Sequence, residues 1–136
     1  MIRTCLAATA VLLAMPALAA TPVAGRYVTE DGSGVIEIGR CGATMCGKLV
    51  RILKAEPNAP KTDVNNSDPA LRSRPILGMP ILSGFTNEGK DWRGRIYDPR
   101  NGKTYKSIVS KNGDGSLKVQ GCIAIFCQTQ VWKPAG

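Results

Sequence analysis

The sequence contains no histidine. That absence removes Ser-His and Cys-His nucleophile pairs, imidazole acid-base chemistry and every metal site that needs a His ligand. Aromatic residues make up only 5% of the chain, and no basic-aromatic motif of a nucleic-acid-binding fold is present, so nucleic acid is not an expected partner of a chain whose first residues read as an export signal. Acids are scarce too: ten Asp and Glu stand against eighteen Lys and Arg, a formal net charge of +8. Asp63, Asp68, Asp91 and Asp98 show no paired spacing, which leaves carboxylate-driven hydrolysis without a visible pair. The chain has no C-x-x-C redox motif, no internal repeat and no low-complexity tract. What remains is 136 residues, 43% hydrophobic and 21% charged. That suffices for one globular domain and is short for two.

The first nineteen residues read as a secretory signal peptide. Arg3 supplies the positive start, Leu6 to Met15 is an uncharged apolar run, and Ala17-Leu18-Ala19 after Pro16 is a small-x-small cleavage signal. The run is shorter than the roughly 18 residues a transmembrane helix needs, and no later segment is long and apolar enough either. Cys5 precedes the apolar run, so it is not a lipoprotein cysteine and leaves with the leader. The expected mature chain, 20–136, is therefore exported, periplasmic or secreted, and bacterial. Export leaves Cys41, Cys46, Cys122 and Cys127, an even number in an oxidising compartment. Both pairs are spaced C-x4-C, which favours the local pairing 41 to 46 and 122 to 127 across tight turns. Zinc is the weaker alternative, because export disfavours thiolates and zinc pairs usually sit closer. No cofactor is expected.

Strand signals follow one another through the mature chain. Gly25 to Thr29, Val35 to Ile38, Met45 to Leu53 and Ile81 to Phe85 are extended runs bounded by turn residues. Trp92 to Tyr97 alternates with period two, setting Trp92 and Ile96 on one face and Arg93 and Arg95 on the other. Asp98-Pro99-Arg100-Asn101-Gly102 reads as a hairpin turn, followed by Tyr105 to Val109. The seventh run places Leu117, Val119, Gly121 and Ile123 inward, and Gln128 to Lys133 is the eighth. Eight short strands with turn signals at regular spacing argue for an antiparallel barrel or a sandwich, and consecutive hairpins make an all-β, eight-stranded up-and-down barrel the simpler topology, because it leaves no edge exposed. The exception is Ala55 to Pro80, where five prolines forbid a central strand. Asp68-Pro69 can start a single helical turn there, and Leu71 with Ile76-Leu77 is expected to pack this loop down as a cover.

Four longer motifs carry a resemblance. Asp-Gly-x-Gly-Val-Ile-x-Ile at 31 to 38, Cys-Gly-x-x-x-Cys-Gly-Lys-Leu-Val at 41 to 50, Asp-Pro-x-Leu-Arg-x-Arg-Pro-Ile-x-Gly at 68 to 78 and Trp-x-Gly-x-Ile-Tyr-Asp-Pro-x-x-Gly-Lys-Thr-Tyr at 92 to 105 resemble the secreted bacterial family DUF2147, and Gln-Thr-Gln-Val-Trp at 128 to 132 fits as well. The resemblance implies a lipocalin-like, calycin-type barrel and no established activity. Tyr27 stands where that family would place a tryptophan, and Ser67 where a proline usually precedes the aspartate. The second cysteine pair is not found in every member, which favours two independent bridges.

The ligand-facing candidates are Arg72, Arg74, Trp92, Tyr97, Lys103 and Tyr105. Arg72 and Arg74 offer planar forks for a carboxylate or phosphate, with tying the cover loop to barrel carbonyls slightly favoured. Trp92 and Trp132 can stack on a ligand, with core packing favoured. Lys103 and Tyr105 share a strand face and can line a barrel mouth. Asp98 and Asp68 are expected to cap their own turns. The sequence thus points to a non-enzymatic binder of a small apolar or amphipathic ligand, with the Pro-rich segment as lid. The alternative is a basic accessory protein with a filled barrel, docking on an anionic envelope component.

Overall fold

Turn-forming residues interrupt β-branched and aromatic runs at short intervals, and the chain folds back at each interruption. The computed structural model describes residues 5–14 and 19–136. Its strands are β1 (Gly25–Val28), β2 (Gly34–Cys41), β3 (Thr44–Ile52), β4 (Pro80–Asn87), β5 (Trp92–Asp98), β6 (Lys103–Lys111), β7 (Leu117–Ile123) and β8 (Phe126–Pro134). Each pairs antiparallel with the next and β8 returns to β1, so the sheet closes as the expected up-and-down barrel. Pro80 is tolerated because it opens β4, where a missing N–H breaks little of the ladder. A single 3-10 turn over Pro69–Leu71 interrupts the long β3–β4 connection, capped by the Asp68 carboxylate on the Ala70 N–H at 3.0 Å.

The turns are held by their own side chains. Asp31 accepts hydrogen bonds from the Ser33 N–H and Oγ and from Thr29 Oγ1. Asp98 takes the Arg100 N–H at 2.9 Å, the capping role expected of it. Arg3 and the Pro16-Ala17-Leu18 part of the cleavage signal lie outside the described residues. Among the described residues, no helix is long and apolar enough to cross a membrane.

The barrel's two ends differ. At the end carrying the β2–β3, β4–β5 and β6–β7 turns, the segment ahead of β1 folds inward. Val23 is 2% exposed and joins the core with Tyr27, Ile36, Phe85, Val109 and Trp132. The Ala20 N–H donates to Asn87 Oδ1 at 3.1 Å, and the Trp92 indole N–H to the Thr21 carbonyl at 3.0 Å. A void of about 10 Å³ is left between Val23, Ile38, Phe85 and Val109, room for a single water at most. This end is closed by packed side chains.

At the other end the inner wall meets solvent. Register fixes which residues face inward, because directly opposed residues project to the same side of the sheet. Ile96 packs on the core, and Tyr105 lies opposite it. Val119 is core, and Gln130 lies opposite it; one pair further along stand Gly121 and Gln128. Tyr105 is half-buried and both glutamines are exposed. Ile123 continues the inward series of β7 but sits on the rim, 67% exposed rather than packed. A second expectation is corrected in the Pro-rich segment. Leu71 and Leu77 are 39% and 53% exposed and Ile76 alone of the three is half-buried, so they do not form the apolar underside of a cover. Met79 is the hydrophobic residue buried there, beside the polar Asp63 and Asn66, with Leu49 N–H donating to its carbonyl.

Candidate functional site

The open end is formed by the inward positions of β5 to β8. Two of the six residues singled out from the sequence, Lys103 and Tyr105, come together here on β6, with Lys103 opposite Asp98 and Tyr105 opposite Ile96. The Asn101 amide donates to the Tyr105 hydroxyl at 2.9 Å, which fixes the ring on the rim hairpin. One step deeper is Ser107, opposite Gly94 on one side and Gly121 on the other. Its residue is 1% exposed, and its Oγ has no hydrogen-bond partner. Buried hydroxyls are normally paired, so this group stands out as a donor and acceptor without an occupation beneath the mouth. Glycines flank it on both sides, and Phe85 and Ile96 pack into the room they leave. At Gly94 a Cβ would press on Phe85 and the Ser83 carbonyl.

Arg72, Arg74 and Tyr97 lie elsewhere. Tyr97 follows the inward Ile96 and therefore faces out of the barrel, where the Pro-rich segment is strapped across it. The centre of the strap is Asp63, whose side chain has no solvent exposure. It accepts from the Tyr97 hydroxyl at 2.6 Å, from Asn66 Nδ2 at 2.9 Å and from Arg74 Nε at 2.9 Å. The Arg74 guanidinium also stacks 5.3 Å from the centre of the Tyr97 ring. Burial by itself would raise the Asp63 pKa, but these three donors and the arginine charge outweigh it and hold the carboxyl below the usual range. The Tyr97 hydroxyl is pushed up by burial and then by the neighbouring carboxylate. Arg72 Nε donates to the Asn66 carbonyl at 2.8 Å, within the segment itself. Both arginines bond within the segment itself, Arg72 to the Asn66 carbonyl and Arg74 to Asp63, and not to the barrel carbonyls expected from the sequence.

The strap continues onto the rim. Asn65 Nδ2 donates to the carbonyls of Pro99 and Arg100, at 3.2 and 3.1 Å. Gly102, with φ +71°, lets the Asn65 carbonyl lie directly against its backbone; a Cβ would collide with it. The Pro-rich segment therefore rides on the outer face of β5 and on the 98–102 hairpin, where the sequence reading had made it a lid. Polar contacts anchor it, and that is why its leucines remain outside.

Trp92 stands at the closed end, packed on the core and bonded to the N-terminal segment, and Trp132 is core. Cys41 is bonded to Cys46 and Cys122 to Cys127, with Cα separations of 5.8 and 4.0 Å. Among the described residues, no group of three or more Cys, Asp or Glu is arranged to hold a metal ion. The β1–β8 seam is short: only Tyr27 with Pro134 and Val28 with Lys133 are paired. Beside it an open groove of about 360 Å³ is lined by Val28, Thr29, Glu30, Gly32, Val131 and Lys133. Glu30 takes the otherwise unpaired Val131 N–H there at 2.9 Å. Sequence reasoning missed Asp63, Ser107 and the inserted segment at Ala20 to Val23. Asp63 had been weighed only as a catalytic acid, and nothing local marks a carboxylate whose main partner is 34 positions away.

Comparison with known proteins agrees with this architecture. One solved structure, protein HP1028 from the human pathogen Helicobacter pylori, described as belonging to the lipocalin family, superposes with a TM-score of 0.74 at 23% identity, covering 85% of this chain and 84% of that one. At that identity the likeness establishes the fold, a lipocalin-like barrel. No curated protein matches. The pattern of the family described as "Uncharacterized protein conserved in bacteria (DUF2147)" matches residues 25–134, all eight strands, and the chain belongs to that family.

Proposed function

We propose that this protein is a non-enzymatic binder that holds a small, partly apolar molecule in the open end of its barrel, in the bacterial envelope. The observation that carries the reading is the inner wall left accessible at one end of the barrel, at Ile96, Tyr105, Gly121 and Gln128. An apolar portion of the ligand rests on Ile96 and the Tyr105 ring, while a polar end meets the rim ammonium of Lys103. The closed end lacks the volume for a ligand, so the site is a shallow mouth. Lipocalin-like architecture supports binding over catalysis, and the absence of histidine supports it too.

Native mass spectrometry of the purified protein, followed by titration with a fluorescent medium-chain fatty acid, tests this reading. A retained mass or saturable probe binding is expected, weakened about tenfold by Tyr105→Ala and unchanged by Trp92→Phe at the far end. A clean apo mass together with no saturable binding would refute it. The packed closed end favours a second reading, in which the barrel is a filled scaffold and the basic surface is the working part.

A further inference from the structure

We propose that the tip of the β7–β8 hairpin, Ile123 to Phe126, inserts into the surface of an anionic lipid bilayer. Ile123, Ile125 and Phe126 are 67%, 87% and 76% exposed, and Ala124 between them adds no polar group. Two-residue hairpin turns ordinarily carry Gly, Asn or Asp, because those residues tolerate positive φ. Here the residue at φ +53° is Ala124, so the tip keeps an apolar side chain where a polar or glycine turn would relieve strain. Immediately beneath, Cys122 and Cys127 are bonded across the two strands. The covalent ring holds four apolar residues out in solvent in one shape, which burial would otherwise have to do.

Charge identifies the occupant. Lys106 stands opposite Cys122 at the base of the hairpin, and Arg95 stands opposite Lys106 on the next strand. Lys103 begins the same strand at the open end. All three are exposed, and none belongs to an ion pair among the described residues. A protein partner would need about 800 Å² of buried surface per side, far more than three side chains offer. A bilayer needs only an apolar wedge a few ångströms deep and cations at the headgroup level, attracted by anionic lipids. The inference stands on the hairpin alone and does not require a ligand in the mouth.

A Phe126→Trp variant, mixed with vesicles of phosphatidylglycerol and phosphatidylcholine, reports on the tip itself. Its emission is expected to shift to the blue on these vesicles and to stay in place on pure phosphatidylcholine, with the shift fading as salt is raised. The double variant Ile125→Asn, Phe126→Asn, at positions outside the core, is expected to keep the circular dichroism of the parent and to partition about tenfold more weakly. Arg95→Glu with Lys106→Glu is expected to remove the preference for anionic lipid. An unmoved tryptophan, or a double variant that binds like the parent, overturns the proposal. So does sedimentation showing that the double variant loses self-association while vesicle binding persists. Titration of the Arg95→Glu, Lys106→Glu variant with the fatty-acid probe separates this proposal from the mouth-binding reading, since both positions face outward and that titration is expected to be unchanged.

Discussion

Asp63 accepts hydrogen bonds from Tyr97, Asn66 and Arg74 with no water contact of its own. Replacing it by alanine strips three donors of their acceptor and leaves a cation facing a void. Asp63→Ala is expected to destabilise by roughly 3 kcal/mol in urea unfolding and to expose the 55–80 segment to protease. Ser107 behaves in the opposite sense. Its hydroxyl is desolvated without a partner, so Ser107→Ala is expected to be neutral or to stabilise by up to about 1 kcal/mol in the ligand-free protein, read as Tm. A clear loss of stability would show that the hydroxyl has a partner after all. Acid sensitivity is also a property of single residues. Burial pushes the Asp31 carboxyl up, but bonds from Ser33 and Thr29, with the Arg100 charge, bring it down to about 2. Since the folded value lies below the ordinary one, the carboxylate stabilises the fold above pH ~4, and that contribution fades as pH falls through 2. The contribution is modest because the side chain is 44% exposed. Carbon-13 titration of Asp31 checks it; a midpoint near the ordinary aspartate value would refute it.

Among the elements, the β5–β6 hairpin and the strap depend on each other. Gly102→Ala adds a methyl group against the Asn65 carbonyl at a backbone angle that disfavours it. The expected loss is about 1–2 kcal/mol in unfolding free energy, with faster amide exchange at Asn65 and Asn66. The two cystine rings contribute less than their number suggests. Each closes a separation of five residues, so loop-closure entropy gives only about 2 kcal/mol per bond. Strand spans and hairpin turns were legible in the sequence because alternation and turn chemistry are local properties. The eight strands and both cysteine pairings come from neighbours a few residues apart. The course of the Pro-rich segment was not legible. Five prolines announce that it leaves the sheet, but Leu71 and Leu77 suggested an apolar underside, whereas a buried carboxylate and two asparagines do the anchoring.

At the scale of the molecule, closure is uneven. β1 meets β8 through two residue pairs, while β2 and β3 share a ladder along their length. Opening of the barrel is therefore expected to begin at this seam, with amides of Val131 and Lys133 exchanging sooner than those at the centre of β6 and β7. Uniform exchange around the barrel would contradict it. The inserted Val23 closes one end, and Val23→Ala is expected to cost about 1–2 kcal/mol and to enlarge the void beside Phe85.

Residues in order along the chain determined the strand count, the antiparallel hairpins, the cysteine pairing and the exclusion of histidine chemistry, since each rests on spacing or on composition. Tertiary structure alone decided which end of the barrel is plugged, which face of β5 carries the strap, and that Ser107 lies buried without a partner. Those facts depend on groups tens of positions apart meeting when the sheet closes, and no local pattern encodes such a meeting.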